Sequence, residues 1–252
     1  MSDLFNIDEY LNTYGVKTFY FDCIDSTSTK ARELIGDNPK EKLLVVCNEQ
    51  TSGRGRNGKS FFSPQGNIYM SVVLHPDCAF NDAVSVTTAA AVAVNRAVER
   101  VTGIKTQIKW VNDLYYCNKK VCGILCEAVG KNGFVSSVII GVGINLVSQV
   151  FPDELKSIAG DLGSDASLRD ALIAAVADEL FALPFGRLSD ELLAEYTQKS
   201  IVIGKTIEYT ENGKKNTATA VGIDSAGGLI VVNSDESRKV LSSGEITVRL
   251  CD

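Results

Sequence analysis

Between Gly53 and Lys59 the chain sets three glycines and three cations within seven residues, Gly53-Arg54-Gly55-Arg56-Asn57-Gly58-Lys59. Glycine lets backbone N–H groups approach an anion with no Cβ in the way, an arginine fork holds two oxygens at once, and lysine adds a point charge. Phosphate or carboxylate chemistry suits that composition. The competing reading is an arginine-glycine segment that touches RNA through charge alone. Further groups able to act with the loop are Asp25-Ser26-Thr27-Ser28 upstream and three blocks downstream. These are Lys109-Trp110-Val111-Asn112-Asp113-Leu114-Tyr115, Lys119-Lys120-Val121-Cys122-Gly123-Ile124-Leu125-Cys126-Glu127, and Gly141-Val142-Gly143-Ile144-Asn145. By residue type alone, Ser26, Thr27 and Ser28 read as helix caps, Lys120 as a solvent lysine beside Lys119 in a hairpin, Asn112-Asp113 as a polar turn, and Trp110 as core.

The elements that must position these groups follow from patterning. Ile7 to Tyr14 reads as a short helix, Lys17 to Ile24 as a strand, and Ser28 to Ile35 as a helix. Leu43 to Cys47 is a buried strand, the glycine-arginine loop follows, and Asn67 to Leu74 alternates as the next strand, so the loop joins two sheet elements. Asp82 to Thr102, rich in alanine and valine and closed by Gly103, predicts a long helix. Thr106 to Trp110, Leu114 to Tyr116, Lys120 to Val129 and Phe134 to Gly143 predict antiparallel strands, with turns at Cys117-Asn118-Lys119 and at 130–133. Two helices, Ser167 to Leu183 and Leu188 to Ser200, precede five short β runs. These are Thr206 to Tyr209, Thr217 to Ile223, Leu229 to Asn233, Lys239 to Leu241 and Ile246 to Leu250, and they suggest a small barrel.

Composition excludes several classes of function. The 252 residues, 45% hydrophobic, suffice for one large domain and a small one. A net charge of −6, from 25 basic and 31 acidic residues, argues against broad nucleic-acid or anionic-membrane binding. No apolar run approaches the roughly 20 residues of a membrane span, and the N-terminus does not read as a signal peptide, so a cytoplasmic protein is expected. Seven cysteines without a Cys-x-x-Cys pair read as free thiols, and a single histidine, His75, argues against zinc and against Ser-His or Cys-His nucleophiles.

Taken together, these blocks resemble the catalytic domain of a biotin protein ligase in order and spacing, closely over about residues 20 to 147. The resemblance implies an α+β fold, a mixed and largely antiparallel sheet flanked by helices as in class II synthetases, followed by a small SH3-like β-barrel. Its divisions would be a biotin- and ATP-binding catalytic domain over residues 1–200 and the barrel over 201–252; the absence of a Pro-rich linker predicts that the two pack closely, and the barrel is expected to help bind ATP or carrier. It implies activation of biotin by ATP and magnesium to biotinyl-5′-AMP, then transfer to a lysine of the biotin carboxyl carrier domain of acetyl-CoA carboxylase or a related carboxylase.

By the same resemblance, biotin is held by Ser26, Thr27, Ser28, Gln50, Gly53, Arg54, Gly55, Arg56, Trp110, Lys120 and Gly123. The hydroxyls and the Gln50 amide match the ureido ring, and Trp110 forms a wall. The nucleotide is held by Arg54, Arg56, Lys109, Asn112 and Asn145. Arg56, Lys120 and Asp113 are the catalytic residues. Arg56 stabilises charge on the α-phosphate, Lys120 bridges carboxylate and phosphate, and Asp113 contacts magnesium and accepts the acceptor lysine's proton. Where relatives carry a third arginine this chain has Asn57, and Val111 replaces a proline, two departures expected to loosen the local backbone. Only roughly fifteen residues precede the first strand, which implies a short form without a DNA-binding domain. A homodimer through an exposed strand edge is left open. Two other functions fit parts of the pattern: a lipoyl or octanoyl ligase of the same architecture, and a non-catalytic biotin-binding or RNA-contacting module.

Overall fold

A computed structural model describes residues 15–36, 40–76, 78–79, 83–131, 134–211, 214–242 and 248–250. The expected helix from Ile7 to Tyr14 and the turn residues 132–133 and 212–213 lie outside the described residues.

Eight strands form the larger sheet: β1 (Val16–Ile24), β2 (Lys42–Gln50), β3 (Ile68–Leu74), β4 (Cys78–Ala79), β5 (Gln107–Lys109), β6 (Asp113–Tyr116), β7 (Lys119–Lys131) and β8 (Phe134–Ile144). Their order is β1-β2-β3-β8-β7-β6-β5, with β4 also on β8. Only β1 and β2 run parallel; the other pairs are antiparallel. The parallel pair needs a crossover, and helix α1 (Thr27–Ile35) lies within it. Cys117 and Asn118, with φ of 48° and 60°, make the two-residue turn between β6 and β7.

Helices cover both faces. On one, α1 buries Thr27, Ser28, Ala31 and Ile35, a helical stripe that packs on Leu43, Val45, Val73 and Ile139. On the other lie α2 (Ala83–Thr102), α3 (Arg169–Phe181) and α4 (Asp190–Lys199). Helix α2 ends at Gly103, whose φ of 73° and N–H to the Glu99 carbonyl cap it as the sequence predicts. Helix α4 starts at Ser189, whose hydroxyl accepts from the Leu192 N–H.

Double coverage corrects the reading of β3. Alternation was expected, yet all seven of its residues are buried, because α1 covers one face and α3 packs on the other. The helix expected from Ser167 to Leu183 is divided. A 3-10 turn, Ala166–Leu168, opened by Asp165 accepting from the Ser167 N–H, precedes α3, which ends at Phe181.

Strands β9 (Thr206–Glu211), β10 (Lys214–Ile223), β11 (Leu229–Asn233), β12 (Arg238–Leu241) and β13 (Val248–Leu250) form a second, antiparallel sheet ordered β12-β11-β10-β9-β13. Its inner residues Ile207, Tyr209, Leu229 and Val231 join the same core as Val92 and Leu172. Two bonds to the β10–β11 turn reinforce the junction: Trp110 Nε1 donates to the Gly227 carbonyl (3.1 Å), and Leu188 N–H to the Ser225 carbonyl (2.9 Å). Among the described residues, no helix is long and apolar enough to cross a membrane.

The face under α1 has the smaller core, and α1 carries the hydroxyl block at its start. Replacing Ile139 with alanine should cost about 2–5 kcal/mol of unfolding free energy, since the methylenes removed lie in a fully buried contact with that helix. A urea denaturation midpoint equal to wild type would contradict this packing.

Candidate active site

Antiparallel register builds the floor of the site. Gly123 on β7 stands opposite Gly143 on β8, and Leu125 opposite Gly141; across the other edge of β8, Gly141 faces Ser71 and Gly143 faces Tyr69. Side chains of these residues point to the face covered by α1, where three neighbouring glycines leave a trough. A Cβ on Gly143 would come within 2.5 Å of the Phe61 ring, one on Gly141 within 2.6 Å of Ser28 Oγ, and one on Gly123 within 3.1 Å of Lys120 and Phe61. The trough opens into a cleft of about 780 Å³.

Of the residues singled out from sequence, Ser26, Thr27, Ser28, Gln50, Arg54, Gly55, Arg56, Lys109, Trp110, Asn112, Asp113, Lys120, Gly123 and Asn145 all line this cleft. Gly53 does not. It is buried behind the loop, where a Cβ would meet the Phe61 carbonyl at 2.4 Å and Ser63 Oγ at 2.5 Å, and it accepts the Phe61 N–H. Its lack of a side chain closes the loop.

That loop folds back on itself through an Arg54–Ser60 bridge and a 3-10 turn, Arg56–Gly58. Asn57 takes φ 56°, ψ 37°, a left-handed conformation that asparagine tolerates better than most residues. The departure expected to loosen the loop therefore occupies a position that suits it. Val111, the other departure, is fully buried, and its carbonyl accepts from the Tyr196 hydroxyl at 3.2 Å.

The two arginines diverge. Arg54 reaches across to Glu127 on β7 (Nη2 to Oε1, 3.0 Å), an oxygen shared with Arg32 of α1 at 3.2 Å. Arg56 donates instead to Asn112 Oδ1 at 3.2 Å. Burial holds its pKa below the ordinary arginine value, with Asp113 pulling the other way. A guanidinium remains charged under such a shift and gains from an anion that replaces lost water. Lys120 pairs with Asp113 (Nζ to Oδ1, 2.7 Å) and lies 5.8 Å from the Phe61 ring centre. Lys109 stands over the Tyr115 ring at 5.3 Å.

The hydroxyl block behaves differently from a set of helix caps. Ser26 occupies the cap position of α1, but its side chain makes no capping bond. Thr27 Oγ1 lies 3.2 Å from Gln50 Oε1, which also accepts the Thr27 N–H at 2.9 Å. Asn112 binds both backbone groups of Ile124, and Asn145 Nδ2 donates to the Gly160 carbonyl (2.8 Å), leaving its buried Oδ1 with no partner among the described residues.

Sequence reading missed Phe61, Ser63 and Ser71, as well as Phe62, Phe151, Leu155 and Ile158, which line the mouth of the cleft. Ser71 had a signal, a lone hydroxyl inside the apolar run Ile68–Leu74. His75 lies away from the cleft, its nitrogens facing the Glu41 carbonyl and Ser137 Oγ. Cys23, Cys47, Cys117, Cys122 and Cys126 are free thiols, and no metal-binding cluster of three His, Cys, Asp or Glu occurs among the described residues.

Cys122, fully buried behind Lys120, has its thiol pKa raised by burial, so little thiolate forms at neutral pH, whereas Cys117 is exposed at a turn. Brief maleimide labelling of the native protein at pH 7.5 should modify Cys117 and spare Cys122 until denaturant is added. Peptide mapping that finds both labelled would contradict the packing behind the cleft.

Comparisons with known proteins agree with this fold. Residues 20–145 match the biotin/lipoate A/B protein ligase family, and residues 202–249 match the biotin protein ligase C-terminal domain. The chain is 37% identical over 252 aligned residues to the bifunctional ligase/repressor BirA of Bacillus spizizenii, covering 91% of this chain and 76% of that one. It is 27% identical to the biotin–[acetyl-CoA-carboxylase] ligase of Paracoccus denitrificans, covering 88% and 96%. In structure it is similar to the biotin protein ligase of Aquifex aeolicus in complex with biotin and ATP, with a TM-score of 0.76 at 26% identity over 93% of this chain and 99% of that one. With its fold, its sequence and its paired domains in agreement, the chain belongs to the biotin protein ligase family.

Proposed function

We propose that this protein is an ATP-dependent, AMP-forming ligase that activates biotin and attaches it to a lysine of a biotin carboxyl carrier domain. The observation that carries the reading is the convergence of Arg56 and Lys120, from different elements, on a cleft floored by Gly123 and Gly143. Family membership and the likeness to a relative solved with biotin and ATP support it.

In the first step a biotin carboxylate oxygen attacks the α-phosphorus of ATP, and the bond to the departing pyrophosphate breaks. Two anions must meet, and we assign Lys120, which lines the cleft, to counter their repulsion. To Arg56, already stripped of much of its water, we assign stabilisation of charge on the α-phosphate and retention of the adenylate afterwards. In the second step the carrier lysine's amine attacks the acyl carbon, the bond to AMP breaks, and Asp113 is the group we assign to take the proton.

The remaining roles follow the same reading. Ser26, Thr27, Ser28 and Gln50 hold the ureido ring, Trp110 walls the pocket, and the loop from Arg54 to Arg56 covers the ligand, with Gly53 closing that loop from behind. Arg54 lines the cleft while its guanidinium anchors the loop on Glu127. Lys109, Asn112 and Asn145 face the nucleotide, the orphan Asn145 Oδ1 being a ready acceptor. Among the described residues Asp113 is the sole carboxylate lining the cleft, so it is the group that would hold magnesium brought in with ATP, and the ion would supply neutralisation of phosphate charge. We assign catalysis to residues 1–200 and support of the Trp110 wall to residues 201–252, in a cytoplasmic enzyme whose acceptor is the carrier domain of acetyl-CoA carboxylase or a similar enzyme.

Pyrophosphate release by purified protein with MgATP should depend on biotin and be absent with lipoate, and addition of a carrier domain should yield biotinylated lysine. Lys120→Ala should slow release by about 100-fold or more, and Arg56→Ala should shed adenylate into solution. Release driven by lipoate, or equal rates in Lys120→Ala and wild type, would refute the assignment.

A further inference from the structure

Behind the hydroxyls that line the cleft runs a second polar layer, Ser63 and Ser71, neither of which lines it. Both are buried, and Ser71 sits at the centre of an otherwise apolar strand with no measurable exposure. Five contacts join the layers: Gln50 Nε2 to Ser63 Oγ (3.0 Å), Ser63 Oγ to the Phe61 carbonyl (2.9 Å), Thr27 Oγ1 to Gln50 Oε1 (3.2 Å), Ser71 Oγ to Thr27 Oγ1 (2.8 Å), and Ser28 Oγ to Ser71 Oγ (3.2 Å).

The direction of every hydrogen in this chain is forced by its ends. A backbone carbonyl only accepts, so Ser63 spends its hydrogen on Phe61 and must accept from the Gln50 amide nitrogen. At the other end of that amide, Gln50 Oε1 receives the Thr27 N–H, which only donates. The amide orientation is thus fixed twice. Thr27 must then give its hydroxyl hydrogen to Oε1, Ser71 must give its own to Thr27, and Ser28 must give its own to Ser71. Gly141 is what lets the last link form, since a Cβ there would stand 2.6 Å from Ser28 Oγ.

We propose that Ser71 is a positioning residue that sets ligand specificity: it draws the Ser28 hydrogen away from the cleft, so that Thr27 and Ser28 present only lone pairs there. The second amide hydrogen of Gln50 is the matching donor. Two acceptors beside one donor complement a cyclic urea, which offers two N–H groups and one carbonyl. An analogue with a ring oxygen in place of one N–H would set lone pair against lone pair. This inference rests on the biotin reading and adds to it the origin of the preference for the ureido ring.

The test compares pyrophosphate release by wild type and Ser71→Ala with biotin and with the cyclic carbamate analogue of biotin, in which an oxygen replaces one ring N–H. In Ser71→Ala the Ser28 hydroxyl is free to turn and donate to that oxygen. The KM for biotin should rise about tenfold, roughly one neutral hydrogen bond, with kcat within about twofold. The preference for biotin over carbamate should fall by about tenfold. Ser71→Cys keeps a weaker donor in a similar volume. It should fall between the two and serves in place of Ser71→Ala if that variant does not fold. A substitution that only loosened the core would leave the preference at its wild-type value, and that result overturns the proposal. Wild-type protein that releases no pyrophosphate with biotin would instead sink the functional reading itself.

Discussion

The site depends on the register of three neighbouring strands. Pairing of β3, β8 and β7 lines up Ser71, Gly141 and Leu125 in one row and Tyr69, Gly143 and Gly123 in the next. Because side chains alternate, a slip of one residue would turn the glycines into the opposite core and fill the trough with valine and isoleucine. The register is held by burial on both faces. Val72, Ile140 and Val142 pack toward α2 and α3, Val73 and Ile139 toward α1. The same burial leaves few places where a ligand could enter the sheet, and the row of glycines supplies one.

Around that floor the cations are pre-positioned by partners rather than left to solvent. Glu127 takes Arg54, Asp113 takes Lys120, and Asn112 takes Arg56. These partners sit on β6, β7 and the turn before β6, so the loop is tied to the strands whose glycines make the floor. Groups fixed before ligand arrives need no reorganisation as charge develops, which is where preorganised electrostatics stabilise a transition state most. Exposed pairs such as Arg54 with Glu127 add little to stability, and their value here lies in direction. Trp110 and Val111 are held in turn by Gly227 and Tyr196, so the second sheet supports one wall of the cleft.

Much of this was legible in the sequence because the motifs are local. Gly-Arg-Gly-Arg, the Asn112-Asp113 turn and the Lys120–Gly123 strand are each contiguous, and their chemistry follows from residue type. Strand and helix placement followed from periodicity, including the Gly103 cap and the Cys117-Asn118 turn. What escaped was set by tertiary neighbours. The even burial of β3 needs α1 and α3 on opposite faces, and no window of sequence contains all three. The opposite directions of Arg54 and Arg56 depend on Glu127, 73 residues from Arg54. Ser71 lies 44 residues from Thr27, the hydroxyl it donates to, and Ser28 bonds to Ser71 on the strand beneath it instead of capping its own helix.

The central claim is that the glycine floor holds an activated biotin. The most direct measurement is native mass spectrometry of the chain after incubation with biotin and MgATP, beside Gly143→Ala, whose added Cβ would collide with the Phe61 ring. Retention of one biotinyl-adenylate per chain by wild type, and little or none by Gly143→Ala, is the predicted result. Wild-type protein that carries no adenylate, or a variant that retains it equally well, would contradict the account.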